Sequence, residues 1–91
     1  LLLHNLLDPA DLAWAQSLTP EDLAREEVLA LVFVREVGAI DNATLRDLSG
    51  IDTLAASARL RRLRELRLLD MRGKGSRAHY LPGPAFPIEV T

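Results

Sequence analysis

The chain has 91 residues, is 48% hydrophobic and carries a formal charge of −2. That length suits one small domain, which buries somewhat over ~60% of its unfolded surface. It has no cysteine, which excludes a disulfide scaffold and a Cys-based zinc site and suits a reducing, cytoplasmic compartment. The longest apolar run, "VLALVFV" from Val28 to Val34, falls far short of the ~20 residues that cross a bilayer, so no membrane partner is expected.

The opening "LLLHNLL" lacks the basic start of a secretory peptide, and no initiator Met precedes it. The expectation is a fragment of a longer protein. Its apolar residues, with Leu12 and Trp14, suit either an extra helix folded back on the domain or a seam to a homodimer or to an upstream domain of the same protein.

"DPAD" at Asp8 and "TPED" at Thr19 each place a capping residue, then Pro, then a carboxylate. Asp8 and Thr19 suit N-caps, and Pro9 and Pro20 suit the first helical position. The reading is a short helix from Pro9 to Gln16 and a long one from Pro20 to Val37, closed by Gly38. Glu26 and Glu27 read as a solvated face of that helix. "AID" at 39–41 suits one short strand. Asn42 is expected to cap a helix, "ATLRDLS", with Leu45 and Leu48 facing inward. Gly50 ends it, Asp52 caps the next, and a third domain helix runs from Thr53 to about Leu66. A hairpin follows: one strand at Leu69–Arg72, a turn at Gly73–Ser76, and one strand at Arg77–Leu81.

This order defines a mainly α (α+β) fold. It is a winged helix-turn-helix, with a three-helix core, a β-hairpin wing and an extra N-terminal helix. The boundaries read as an N-terminal arm at 1–18, the winged domain at 19–84 and a C-terminal tail at 85–91.

Charge is unevenly divided. Residues 1–52 hold three basic and ten acidic residues, a balance of −7, whereas residues 53–91 hold eight basic and three acidic, a balance of +5. Such asymmetry suits a polyanion on one side. On the third domain helix, Ala56, Leu60 and Leu63 share an inward face, while Leu54, Ala58, Arg61, Arg62 and Glu65 lie opposite. In a helix-turn-helix the outer face enters the major groove. Thr53, Ser57, Arg61 and Arg62 are the candidate contacts there. Arg61 is the strong base reader, and Leu54 and Ala58 suit at most a thymine methyl. In the wing, Arg72, Lys74, Ser76 and Arg77 suit phosphate or the minor groove. "RGKGS" lacks the spacing of a phosphate-binding P-loop.

"ALVFVREVGAIDNATLRDLSGID", "LRRLRELRLL" and "RGKGSRAHYLPG" together resemble the C-terminal winged-helix module of bacterial transcriptional regulators. That group includes ATP-dependent DNA helicase RecG-related proteins with a Schlafen/AlbA-type ATP-binding domain upstream. The similarity covers about Pro20 to Gly83. It implies that Asn42 and Thr44 open the second helix of the motif and join the DNA contacts. It also implies that Ser57 to Arg61 lie on the recognition helix and that Gly73, Lys74, Gly75, Arg77 and Tyr80 form the wing. The chain departs from the pattern at Ala58, where a basic residue is usual, and at Arg67, where a Gly is usual. The second departure predicts a different closure of the recognition helix.

His4 and His79 lack partners at metal-ligand spacing, and no Ser–His–Asp or Cys–His arrangement is evident. Neither a metal, a cofactor nor an enzyme activity is expected of this segment. Trp14 reads as a packing anchor, and Tyr80 as facing the core. The reading is a module through which a larger transcription regulator holds double-stranded DNA. The alternative is a winged helix for protein–protein contact or dimerisation, using Leu54, Ala58 and the N-terminal leucines.

Overall fold

The computed structural model describes residues 8–73 and 78–86. Residues 1–7, including His4 and the leading leucines, the wing residues Lys74, Ser76 and Arg77, and the last five residues lie outside them. The elements are α1 (Pro9–Gln16), α2 (Arg25–Val37), α3 (Asn42–Ser49), α4 (Thr53–Glu65), β1 (Leu69–Arg72) and β2 (His79–Pro82). This is the winged-helix order, preceded by an extra helix.

Pro9 stands at the start of α1, as expected, but Asp8 makes no side-chain cap bond. The second helix starts later than the "TPED" signature predicts. Thr19 does accept the Glu21 N–H on its hydroxyl, at 3.2 Å, yet the turn does not continue into a helix. The Gln16 side-chain amide explains this. It donates to the Glu21 carbonyl and accepts from the Leu23 N–H at 3.2 Å. Backbone groups that a helical turn would have satisfied are met by one side chain instead. Arg25 then opens α2, and the Glu27 carboxylate reaches back to the Ala24 N–H at 2.7 Å. A glutamate at this third helical position supplies the cap that Ala24 lacks.

The core gathers Val28, Leu31, Val32 and Val34 of α2, Leu45 of α3, and Ala56, Leu60 and Leu63 of α4. Leu68 and Leu69, at the root of the hairpin, complete it from below. Spacings of three and four residues put these side chains on inward stripes. Ala15 of α1 is fully buried in the same cluster, so α1 packs on the domain. Trp14 packs beside it, its ring edge-on to Phe86 with centroids 5.7 Å apart. The Arg35 guanidinium lies 4.6 Å from the Trp14 ring centroid and bonds Asp11 at 2.8 Å. Burial works against the Arg35 charge, but Asp11 and Glu36 outweigh it and raise its pKa above the ordinary value. Phe86, in the segment expected to be a tail, is 93% buried by the same contacts.

β1 and β2 pair antiparallel with Met71 opposite Tyr80 and Arg72 opposite His79. The second strand starts two residues later than expected and reaches Pro82. The expected short strand at 39–41 is a single bridge: Ile40 and Tyr80 exchange both backbone bonds, at 2.9 and 2.7 Å. Tyr80 packs against the core.

The end of α4 corrects one expectation. Arg67 does not close the helix in a different way; it adopts the left-handed conformation itself, with φ 67°. The Leu68 N–H bonds the Leu63 carbonyl at 3.0 Å and the Arg67 N–H bonds the Arg64 carbonyl at 2.9 Å. These are the two bonds of a Schellman closure, which usually holds glycine at this point. A glycine is needed nearby instead. A Cβ on Gly83 would stand 2.6 Å from the Arg67 carbonyl oxygen. The bare backbone lets Gly83 and Ala85 donate to the Leu68 and Arg67 carbonyls at 2.9 and 2.8 Å.

Candidate nucleic-acid interface

α3 and α4 meet across the turn at Gly50, whose φ of 78° fits a residue without a Cβ. Asp41, rather than Asn42, is the N-cap of α3: its carboxylate accepts the Thr44 N–H at 2.8 Å. That backbone hydrogen bond is the main reason the Asp41 pKa is held below the ordinary carboxylate value. Asp52 caps α4 as expected, accepting the Ala55 N–H at 2.8 Å.

Asn42 is thereby free for a different task. Its amide nitrogen donates to the Ser57 hydroxyl at 2.9 Å and to the Thr53 carbonyl at 3.1 Å. Its amide oxygen accepts from Arg46 at 2.7 Å. One side chain therefore fixes α3 against the first turns of α4. Asn42, Arg46, Thr53 and Ser57 line one wall of an open cleft of about 410 Å³, and Ala78 and Tyr80 of the hairpin line the other. Thr44 sits half-buried in the first turn of α3, where the Asp41 cap occupies its backbone.

The outward face of α4 is the stripe Leu54, Ala58, Arg61 and Glu65, all exposed. Leu54 is 83% exposed. Arg64, also exposed, flanks the stripe on the α3 side. The other flank is different. Arg62 turns inward and donates to the Glu27 carboxylate at 2.6 Å. Arg59 stands 3.9 Å from the second Glu27 oxygen, which has no hydrogen-bond partner.

Glu27 corrects the expectation of a solvated face, because its side chain is fully buried. It lies in line with Leu31 and Val34 on the inward stripe of α2, and its charge is met there by Arg62. A buried carboxylate requires such a partner. That spacing from Leu31 and Val34 was the available signal. The arginine cluster thus divides. Arg61 and Arg64 face solvent, whereas Arg59 and Arg62 lie against the acidic first half of the chain.

At the wing, Arg72 is exposed and lies 3.4 Å from Asp70. Lys74, Ser76 and Arg77 fall outside the described residues. Among those that are described, no three His, Cys, Asp or Glu side chains are grouped to hold a metal. No described helix is long and apolar enough to cross a membrane.

The element order and the paired hairpin define a winged helix-turn-helix. No family model matches the chain, and no curated protein matches it. A solved structure of BpsR from Bordetella bronchiseptica, whose DNA binding is regulated by 6-hydroxynicotinic acid, has the same fold. The TM-score is 0.59 at 19% identity, over 82% of this chain and 56% of that one. The chain therefore spans little more than half the length of that DNA-binding protein.

Proposed function

We propose that this domain holds duplex DNA, with α4 in the major groove and the wing against flanking backbone. It would serve as the DNA-binding module of a larger bacterial transcription regulator, of the kind that the RecG-related resemblance implies. The observation that carries this reading is the solvent-open stripe of α4, with Arg61 on it and Arg64 beside it. The likeness to BpsR supports it, since that protein binds DNA and shares the fold. Arg61 is the base reader, able to fork onto guanine. Arg64, Arg72, Lys74 and Arg77 grip phosphate, with Thr53, Thr44 and Ser76 as neutral donors. Asn42 and Ser57 hold α3 and α4 in register. Arg62 holds the recognition helix in place through Glu27.

With Arg59 and Arg62 held by Glu27 and Arg61 reading a base, four cations of α4 and the wing remain for phosphate: Arg64, Arg72, Lys74 and Arg77. Fluorescence anisotropy with duplex DNA over a range of salt is expected to give a slope of log affinity against log salt of about −3 to −4. Arg61→Ala is expected to weaken binding several-fold and to relax the preference for guanine at its position, whereas Arg64→Ala is expected to make the slope shallower by about 1. No binding, or binding indifferent to salt, refutes the reading.

A further inference from the structure

Leu54 is the most exposed of the large apolar side chains described, at 83%, and no contact within the fold accounts for it. It sits in the first turn of α4, where a recognition helix presents its side chains to base edges. Ala58 and Arg61 follow it at four and seven residues, so the three lie on one line along the helix. Ala58 is also exposed and is too small to hold the helix away from a groove floor. Arg61 and Arg64 outweigh Glu65 on this face, and the net positive charge favours a polyanion over an apolar protein surface. In the major groove the thymine C5 methyl is the one apolar group on a base edge.

Resting on the DNA reading above, we infer that Leu54 is a specificity residue that selects thymine by contact with its methyl group. Ala58 permits the close approach. Burying one methyl group against an apolar partner gives about a fourfold preference. This preference is independent of phosphate contacts and therefore of salt.

The test uses short duplexes enriched by this domain from a random pool. The enriched pool is made once with thymine and once with deoxyuridine, which keeps every hydrogen-bonding group and lacks only the methyl. The wild-type domain is expected to bind the deoxyuridine pool about fourfold more weakly or worse. Leu54→Ala, an exposed site whose change leaves the fold intact by circular dichroism, is expected to bind both pools alike with an unchanged salt slope. Equal wild-type affinity for the two pools overturns the inference while leaving DNA binding in place. A Leu54→Ala variant that keeps the thymine preference also overturns it, because another residue then reads the methyl. Failure to enrich any duplex from the random pool removes the DNA reading itself, and the inference with it.

Discussion

Arg67 sits in a backbone conformation that costs an L-residue about 1–2 kcal/mol, because its Cβ crowds the following carbonyl. The Schellman bonds of Leu68 and Arg67, together with the Arg67 carbonyl's bond from Ala85, hold it there. Replacing it with glycine removes the strain but lets the unfolded chain sample more conformations. Arg67→Gly is therefore expected to stabilise the domain by a net of about 1 kcal/mol, read as a higher midpoint in urea. A lowered midpoint would mean that the arginine side chain contributes more than its backbone costs.

Between elements, the Glu27–Arg62 pair fixes α4 on α2, and Asn42 fixes it on α3. Arg62→Ala leaves a fully buried carboxylate without its hydrogen-bonded charge partner, with only Arg59 at 3.9 Å, and is expected to cost about 3 kcal/mol. Arg61→Ala, on the exposed stripe of the same helix, is expected to stay within about 0.5 kcal/mol. Adding Glu27→Gln to Arg62→Ala is expected to recover part of the loss, since an amide is cheaper to bury. Urea unfolding separates the variants, and equal losses for Arg61→Ala and Arg62→Ala would sink the argument.

The same elements show what was legible in the sequence. Helix spacing identified the inward faces of α3 and α4, and Gly50 and Asp52 marked the end of the first and the start of the second. Local signals misplaced the start of α2, because "TPED" is a sound cap signature whose backbone groups are taken by Gln16, a residue of the preceding helix. A contact of that kind has no local trace. The inward position of Glu27 could be read from its spacing to Leu31 and Val34, but its partner, 35 residues away, could not. Asn42 was recognised as opening α3, but the neighbouring Asp41 wins the cap. The outward positions of Leu54, Ala58 and Arg61 followed from periodicity alone. The inward turn of Arg62 did not, because it depends on which helix lies beside that flank.

Across the whole molecule, the acidic first half is not merely a counterweight to the basic second half. Glu27 lies within ion-pair distance of Arg59 and Arg62, so the cationic surface left for a ligand is narrower than composition suggests. Far along the chain, Phe86 closes the core edge beside Trp14. Phe86→Ala is expected to cost about 3 kcal/mol by opening a cavity there. Truncation before Phe86 should match that loss, measured by thermal unfolding. Retention of full stability in either variant would show that the aromatic pair contributes little.

The Ile40–Tyr80 bridge acts as a rivet between the hairpin and the link joining α2 to α3. With both backbone bonds made, the lower half of the ribbon cannot swing without dragging that link along. The pitch of the hairpin is thus set in part at Ile40, which is itself buried. Anyone wishing to re-aim the hairpin should edit the short stretch from Gly38 to Asp41 and leave the tip alone.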